Sequence, residues 1–413
     1  MNKIITIALF AFTSVSFGQD LMPIYGGDSI NTGHEINISS FNYYASNSFN
    51  NDLTNKFIYG GNIDATIKNF NQGKLGRINS FGGEFEQKLE YINFNISPIK
   101  GLPNLGFIVG IEDINYVSSN MASDLYNIAF FGNQNYLGDT MNFSFSHLQY
   151  LHYQKFSIGL ISKTSRSSLK ISFVSGNKSI EYRLGNTWMY SSELSDSIKF
   201  NLNAEGFRTD SASSYFTSKG QGFAFDLNHN FIYNNRKGKK QVLNFKLGNL
   251  GVIFWNNNTT YNYVDSANTY SGFNALDLIN GTASTSNLSS DTLGVFSKQR
   301  SKAELLPFEL SIQKLANRNS DQKLQLIFGF KSIISSDYKP YLFVGGYYAP
   351  TESLSLSSSI AYGGFGGFKM RLNANYFLKN TLRISIGTYD LIGFISPKYG
   401  FGKSLHFSTR IKF

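Results

Sequence analysis

The sequence predicts an all-β protein: a transmembrane antiparallel up-and-down β-barrel of about 14 strands (about 12 to 18), with long extracellular loops. Many segments alternate apolar and polar residues, the chain begins like an exported protein, and it ends on an aromatic residue. Of its 413 residues, 16% are aromatic and only 15% are charged. Typical soluble domains carry about 25% charged residues, and aromatic-rich compositions favour strands.

The N-terminal segment, residues 1–18, has the pattern of a secretory signal peptide. Lys3 precedes an apolar run over residues 4–12, and small residues precede Gln19, the predicted mature N-terminus. The apolar run is about half of the roughly 20 residues that a membrane-spanning helix needs, which disfavours a membrane anchor. We therefore predict that residues 1–18 are cleaved off and that residues 19–413 form a single barrel domain.

Some residue types are absent or scattered, which excludes several classes of protein. The chain has no cysteine, so it has no disulfide framework, no thiolate metal site, no cysteine nucleophile and no lipoprotein anchor. The formal net charge is +10, but the basic residues occur singly and form no nucleic-acid-binding motif. We therefore predict no nucleic-acid partner.

The C-terminal segment shows the clearest strand pattern. Leu405, Phe407, Thr409, Ile411 and Phe413 share one face, and polar or basic residues occupy the other. This is the period of two that a half-buried strand shows. A final strand that ends on Phe resembles the insertion signal read by the barrel-assembly machinery of outer membranes. We assign that signal to Phe407, Ile411 and Phe413.

The same alternation recurs upstream, and the second face of these segments is rich in Gly, Ser, Asn and charged residues. The apolar faces are Leu382-Ile384-Ile386, Met370-Leu372-Ala374-Tyr376, Leu354-Leu356-Ile360-Tyr362, Leu324-Leu326-Phe328-Phe330, Leu243-Phe245-Leu247, Phe223-Phe225-Leu227, Leu169-Ile171-Phe173 and Phe156-Ile158-Leu160. A soluble sandwich also alternates, but the polar second face, the signal peptide and the terminal Phe favour a barrel with a polar interior. The N-terminal third is less regular: residues 63–70 fit a strand or a short helical turn, and residues 123–138 an irregular loop.

Connection lengths predict which end of the barrel faces which compartment. If the C-terminus lies in the periplasm, four short connections lie there too: residues 379–380, 349–352, 316–322 and 234–240. The longest connection, residues 256–303, then lies outside. Short periplasmic turns and long external loops are the usual asymmetry of outer-membrane barrels.

Several segments also carry a family resemblance. They are Phe131-Gly132-Asn133, Tyr136-Leu137-Gly138-Asp139, the run from Lys246 to Asn256 with Tyr261, Tyr270-Ser271-Gly272-Phe273, and Leu306-Pro307. Their order resembles a family of Bacteroidota outer-membrane barrels of unknown function, which is similar in architecture to FadL- and PorV-type barrels. The resemblance covers most of the mature chain. It implies the barrel fold and supplies no catalytic residue.

No group of residues in the sequence predicts catalysis. His147 and His152 are five positions apart, so on a strand they face opposite sides and do not share a metal ion. There is no nucleophile elbow, no His-Glu-x-x-His and no phosphate-binding loop with its lysine. The Gly-rich residues 363–367 lie between two predicted strands and indicate a tight extracellular hairpin. We therefore expect no enzyme activity, no metal and no cofactor.

A basic face is the one mild signal for ligand binding. Lys369, Arg371, Arg383 and Arg410, together with Lys412, have the strand parity of the lumen. Converging cations would favour anionic solutes. The alternative is that these residues pair with lumen carboxylates or remain solvated.

Large aromatic residues near strand ends allow two interpretations. Trp188, Tyr190, Trp255, Tyr341 and Tyr347 could form the aromatic girdle at the membrane interface. They could instead line a groove for a hydrophobic ligand. Their position at strand ends favours the girdle.

These observations predict a protein of the Gram-negative outer membrane. It would be a passive channel or a FadL-like transporter of small or hydrophobic solutes. The alternative is a plugged, non-enzymatic barrel that docks a secretion or surface-anchoring complex. The expected partners are outer-membrane lipid, lipopolysaccharide and the barrel-assembly machinery, with secretion-system components under the alternative.

Overall fold

The structure is a computed structural model that describes residues 24–25, 33–210, 216–270, 294–379 and 381–413. The predicted signal peptide, residues 1–18, lies outside the described residues. So do residues 271–293 of the long connection and Asn380 of the predicted turn.

Fourteen strands form a closed antiparallel barrel, as the sequence predicts. Each barrel strand pairs with the next one along the chain, and the first and last close the ring, with Ile38 opposite Thr409. The strands are numbered along the chain. The barrel strands are β2 (His34–Ser46), β3 (Ile78–Asn93), β4 (Leu105–Ala122), β6 (His147–Ser162), β7 (Ser168–Leu184), β10 (Gly220–Asn234), β11 (Lys240–Trp255), β15 (Phe308–Asn317), β16 (Leu324–Ile334), β17 (Lys339–Tyr348), β18 (Leu354–Gly364), β19 (Phe368–Leu378), β20 (Leu382–Thr388) and β21 (Gly402–Lys412).

Alternating side chains give the barrel an apolar exterior and a polar interior. On β18, Ile360 and Tyr362 are 50% and 70% exposed on the outer surface, whereas Ser357 and Ser359 are buried in the interior. Apolar residues at every second position form a belt on the outer surface. Contact of this belt with water is unfavourable, whereas lipid can cover it. The polar positions lie in the lumen, where neighbouring strands supply hydrogen-bond partners.

The two ends of the barrel differ in the length of their connections. The strand ends that flank the four predicted short turns lie at the same end as Phe413, which we call the turn end. The opposite end, which we call the loop end, carries residues 256–270 and 294–303, the described parts of the longest connection. The described parts of the connections therefore group at the two ends as the sequence predicts, while the compartment that each end faces stays a prediction.

Further strands extend the wall or cover its ends. They are β1 (Ile24–Tyr25), β5 (Thr140–Asn142), β8 (Trp188–Ser191), β9 (Ile198–Arg208), β12 (Thr260–Tyr270), β13 (Phe296–Gln299) and β14 (Lys302–Leu305). At the loop end β9 pairs with β7, β8 and β12, and β12 pairs with β13. Pro307 separates β14 from β15, because proline has no N–H for the ladder.

Short helices occupy the loop end. They are α1 (Asn51–Tyr59), α2 (Ala65–Gln72), α3 (Ser123–Phe131), a 3₁₀ turn (Gln134–Tyr136) and α4 (Ile392–Ile395). Residues 63–70, left open between strand and helix, lie mostly in α2, where the Asp64 side chain accepts a hydrogen bond from Ile67 N. Among the described residues, no helix is long and apolar enough to cross a bilayer.

The prediction of an irregular loop over residues 123–138 is wrong. The apolar residues of α3 follow one another almost without interruption, so the sequence shows no helical period. Tertiary contacts hold the helix instead: the ring of Tyr126 lies 5.8 Å from that of Phe49, and its hydroxyl donates to Lys68 O at 3.0 Å.

Candidate functional site

A cavity of about 320 Å³ occupies the lumen toward the turn end, and we call it the lumen cavity. Charged and amide side chains from both halves of the barrel wall line it. The lining includes Glu90, Glu112, Lys170, Asp226, Lys246, Asn249, Glu309, Lys331, Phe343, Arg371, Arg383, Tyr389 and Arg410.

One wall of the lumen cavity is built on buried ion pairs. Lys155 does not itself line the cavity. Its Nζ donates to three residues that do: Glu112 at 2.9 Å, Asp226 at 2.9 Å and Asn249 at 2.6 Å. Lys170 Nζ also donates to Glu112, at 3.1 Å. Because a charge removed from water is costly unless it is paired and hydrogen-bonded, these contacts keep both signs of charge in the interior.

The same wall continues with a second ion-pair group. Glu309 on β15 accepts from Lys246 on β11 at 3.2 Å and forms a salt bridge with Lys331 on β16 at 3.1 Å. The cations on this side of the cavity therefore have carboxylate partners at contact distance.

The opposite wall carries three of the five predicted basic residues. Arg371, Arg383 and Arg410 all line the lumen cavity. The Arg371 guanidinium lies 4.3 Å from the ring centre of Phe343 and 4.4 Å from that of Tyr389. Such stacking holds a guanidinium flat against aromatic faces. The structure thus places cations from three neighbouring strands, β19, β20 and β21, at one cavity.

Nearby polar groups fix the direction of two of these arginines. Arg383 Nη2 donates to Asn375 Oδ1 at 2.8 Å, and Arg410 Nε donates to Asn37 Oδ1 at 3.1 Å. Arg410 also lies 3.1 Å from the carboxylate of the buried Glu35.

The turn end of the cavity is covered by the short strand β1. Ile24 and Tyr25 pair in parallel with the end of β15, and both are buried. The Tyr25 hydroxyl donates to Thr164 O, in the turn between β6 and β7, at 3.0 Å. Arg166 of that turn donates to Glu35 at 2.7 Å. Segments outside the barrel wall thereby form a floor.

Above the cavity, toward the loop end, buried rings fill the lumen, and we call them the aromatic layer. Its members are Phe41, Tyr43, Tyr116, Tyr338, Tyr341, Phe365 and Tyr389. They come from both sides of the barrel and pack against one another. The gap left between them is about 10 Å³, room for about one water molecule.

Phe365 enters the aromatic layer from the Gly-rich hairpin between β18 and β19. The predicted tight hairpin is present, but the ring of Phe365 turns into the lumen and is 1% exposed. It packs edge-on against Tyr338 at 5.2 Å between ring centres. Gly363 and Gly364 have φ of 111° and 71°, which only glycine adopts without strain.

The glycine opposite this ring is required for the close approach. A Cβ at Gly82 on β3 would lie 2.3 Å from the ring of Phe365. The Ser80 hydroxyl on the same strand donates to Phe365 O at 3.2 Å.

Neither of the other two predicted basic residues lines the lumen cavity. Lys412 ends β21, and Lys369 lies in the aromatic layer. Its Nζ donates to the Tyr43 hydroxyl at 3.1 Å and to Gly363 O at 3.2 Å. Its side chain points into the lumen, as strand parity predicts, but its position along the barrel axis could not be predicted from parity. In the neighbouring loop, burial raises the pKa of Asp390 to about 6, against the opposing effects of the Gly393 N–H and of Lys369.

A loop crosses the barrel mouth beside the hairpin, and we call residues 335–338, between β16 and β17, the crossing loop. Its anchor is Asp337, whose carboxylate accepts from Ser118 Oγ at 2.9 Å and Asn120 Nδ2 at 2.5 Å. His147 Nδ1 lies 3.1 Å from the same carboxylate. Ser118 and Asn120 belong to β4, half of the fourteen-strand circumference away from β17.

Two further contacts secure the crossing loop. The hydroxyls of Tyr116 and Ser336 share a hydrogen bond. The Asp337 N–H donates to Ser118 Oγ at 3.1 Å. Burial raises the pKa of Asp337, but the hydrogen bonds from His147 and Ser118 outweigh it, so the pKa lies below its ordinary value.

A second cavity of about 730 Å³, which we call the vestibule, lies on the loop-end side of the aromatic layer. Besides the crossing loop and His147, its charged lining consists of Glu181, Arg183, Glu205, Arg300, Lys302 and Glu304. Among the described residues, none lines both the vestibule and the lumen cavity. The aromatic layer and the crossing loop therefore separate two polar chambers.

The girdle prediction is wrong for three of its five aromatic residues. Trp255, Tyr341 and Tyr347 are buried inside the barrel, and Trp255 Nε1 donates to Glu304 at 2.6 Å. Strand parity would have identified the two tyrosines, since the residues between them on β17 that face outward are aliphatic. Trp188 and Tyr190 lie on β8, outside the barrel wall.

The histidines are placed as the five-residue spacing predicts. His147 faces the vestibule, while His152 lies 3.0 Å from Asp113 on the other face of the sheet. Among the residues that the structure describes, no group of three or more histidine or acidic side chains could hold a metal ion.

The residues of the predicted insertion signal lie on the last strand and just after it. Phe407 and Ile411 point outward from β21, and Phe413 is 66% exposed. The Phe413 ring stacks on His34 at 5.6 Å, and its carbonyl accepts from His34 N at 2.8 Å.

Sequence reasoning missed Asp337, Ser118 and Asn120. No local pattern marks them, because their contacts join positions more than 200 residues apart. Phe365 carried a weak signal, an aromatic residue between two glycine pairs in a short loop.

Comparisons with known proteins give structural likeness only. No family model and no curated protein matches the chain. Similar solved structures include the TodX deltaS2S3 mutant, a monoaromatic hydrocarbon channel, at 9% identity, with 96% of this chain and 97% of that one covered and a TM-score of 0.44. Others are the Pseudomonas putida toluene transporter TodX (9%, 96% and 94%, 0.37) and a Pseudomonas aeruginosa FadL homologue (12%, 97% and 100%, 0.37).

Proposed function

We propose that this protein is an outer-membrane channel or transporter that passes small solutes through the barrel lumen. The observation that carries the proposal is the pair of polar chambers, the vestibule and the lumen cavity, on the two sides of the aromatic layer in a closed barrel. The aromatic layer between them closes the path in this state. The layer depends on a glycine-flanked hairpin and a short loop, both of which can move without breaking the barrel wall.

The lumen cavity favours solutes that carry an anionic group. Arg371, Arg383 and Arg410 supply three guanidiniums on one wall, and guanidinium matches carboxylate geometry. Phe343 and Tyr389 add aromatic surface beside Arg371. A small organic anion with an apolar body would meet both features. This function needs no cofactor and no catalytic residue.

Liposome swelling tests the transport step. Phe365→Ala removes the ring that fills the layer, so liposomes with this variant should swell several-fold faster in a small sugar than those with the unmodified protein. The control is Phe368→Ala, which truncates an outward ring on the same hairpin. Equal, slow swelling of all three folded proteins, with co-purification of other envelope proteins, would favour the docking alternative instead.

Ion selectivity tests the solute class. In the Phe365→Ala background, the reversal potential in a chloride gradient should show anion preference, because cations line the cavity. Arg371→Gln should lower the anion-to-cation permeability ratio several-fold. Arg236→Gln, at an exposed turn, should leave it unchanged. A cation-selective Phe365→Ala channel would contradict the proposed anion class while leaving a channel.

A further inference from the structure

We propose that the vestibule holds a carboxylate-binding site, which Asp337 of the crossing loop occupies in the closed barrel. A solute carboxylate that takes the place of Asp337 would release the loop and open the path to the lumen cavity. The inference rests on the proposed channel function and adds to it the ligand class and the means of opening.

The donors around Asp337 form a site built for a carboxylate. Ser118 Oγ and Asn120 Nδ2 donate at 2.9 and 2.5 Å, and His147 Nδ1 lies at 3.1 Å. The donors are rigidly placed, because Ser118 and Asn120 lie on β4 and His147 begins β6, two paired barrel strands. Asp337 belongs to a loop from the opposite wall. The donors are therefore part of the barrel wall, whereas Asp337, which occupies the site, lies on a loop that can move away.

The site is continuous with a chamber large enough to supply a competitor. Asn120, His147 and Asp337 all line the vestibule. The vestibule also presents Lys302, 4.3 Å above the ring of Phe207, and Arg300, 3.8 Å above that of Tyr261. Lys302 is paired with Glu181, and Glu205 and Glu304 line the same chamber, so its lining carries both signs of charge. An incoming carboxylate thus reaches the donor set without passing the aromatic layer.

Departure of Asp337 would loosen the closure below it. Tyr338 follows Asp337 directly and packs edge-on against Phe365 at 5.2 Å. Tyr338 N also donates to Ser336 Oγ, and Ser336 bonds to Tyr116 across the lumen. Release of Asp337 therefore removes the anchor of a ring that holds Phe365 in place. Phe365 itself lies between glycine pairs that allow its hairpin to move.

A ligand opens the barrel only to the extent that it prefers the released state. Because Asp337 and a solute carboxylate need the same donors, they exclude each other. The ratio of open to closed barrels then rises with solute concentration in proportion to one plus the ratio of that concentration to the dissociation constant. The barrel is therefore closed in the absence of ligand, and binding of a solute carboxylate opens it.

The test is single-channel recording of the full chain in planar bilayers, with butyrate as the probe and butyramide as its neutral isostere. Butyrate added on the loop-end side should raise the open probability of the unmodified protein several-fold, and butyramide should not. Asp337→Asn should open without butyrate and respond little to it. Asp196→Asn, which neutralises an exposed loop carboxylate, is the matched control and should behave like the unmodified protein.

A second variant guards against misfolding of Asp337→Asn. Asn120→Asp keeps the shape of the site but repels Asp337 and any carboxylate, so it should raise the basal open probability and abolish the butyrate response. If Phe365→Ala conducts but butyrate opens nothing, or butyramide works equally well, the carboxylate site is wrong and the channel stands. If no variant conducts, the channel function itself fails.

Discussion

Single charged residues in the lumen are tolerated because partners surround them. Lys155 is 1% exposed and contacts two carboxylates and an amide oxygen, from β4, β10 and β11. Strand parity predicts that Lys155 faces inward, since Phe156 and Ile158 are exposed on the outer surface. It cannot predict the partners, because these depend on which strands meet across the register.

The contacts of Lys155 predict a large loss of stability in Lys155→Met. The variant leaves Asp226 buried without its salt-bridge partner, while Glu112 keeps Lys170 and Lys88, and breaking a buried pair costs about 3–5 kcal/mol. The urea midpoint of the detergent-refolded barrel should fall accordingly, while Lys237→Met, at an exposed turn, should not move it. Equal midpoints would show that the cluster is solvated.

Asp390 gives the stability a pH dependence. Its pKa is about 6 in the folded chain against an ordinary 3.8, so the folded state binds a proton that the unfolded state has released between these values. The folded state therefore loses stability as pH rises from about 4 to about 6, by at most about 3 kcal/mol. Asp390→Asn should remove this component. The measurement is the difference in unfolding free energy between the two proteins at pH 4 and pH 7, and a pH-independent difference would contradict it.

At the scale of elements, the hairpin between β18 and β19 joins wall and closure. The alternation of both strands is plain in the sequence, as is the turn between them. The inward position of Phe365 is not, because it depends on the space that Gly82 leaves on β3, across the lumen. Helix α3 was missed for a similar reason, since Phe49 and α2 rather than its own pattern hold it.

The contact between Gly82 and the hairpin predicts that Gly82→Ala opens the layer. Its Cβ would lie 2.3 Å from the Phe365 ring, so the ring must leave its position. Conductance should rise several-fold over the unmodified protein. Gly346→Ala is the control, because the nearest atom to its Cβ is 4.0 Å away, at Leu324. A Gly82→Ala barrel as closed as the control would mean that Phe365 does not seal the lumen.

At the scale of the molecule, strand number, closure and the grouping of the connections follow from the sequence pattern. The positions of the side chains and loops inside the lumen do not follow from that pattern. The crossing loop forms hydrogen bonds to β4, half of the barrel circumference away. Such a contact depends on the sequences of both segments and on the barrel diameter, so no single segment predicts it. Strand parity alone predicts that Arg371, Arg383 and Arg410 all point into the lumen. The position of Lys369 along the barrel axis depends on the strand register, which parity does not predict.

The closing register can be tested with cysteines, since the chain has none. Ser39 on β2 faces Ser408 on β21, and paired strands lie within disulfide distance. Ser39→Cys with Ser408→Cys should cross-link on mild oxidation and shift the mobility of the unfolded chain on a gel. Ser39→Cys with Ser385→Cys, one strand further away, should not cross-link. A reversed outcome would contradict the register.

The central claim is that the lumen is a solute path closed by the aromatic layer. Single-channel conductance of Phe365→Ala, beside the unmodified protein and Phe368→Ala, tests it most directly. We predict discrete, frequent openings in Phe365→Ala and rare openings in the other two. A correctly folded Phe365→Ala barrel that inserts into the bilayer and conducts nothing would contradict the claim.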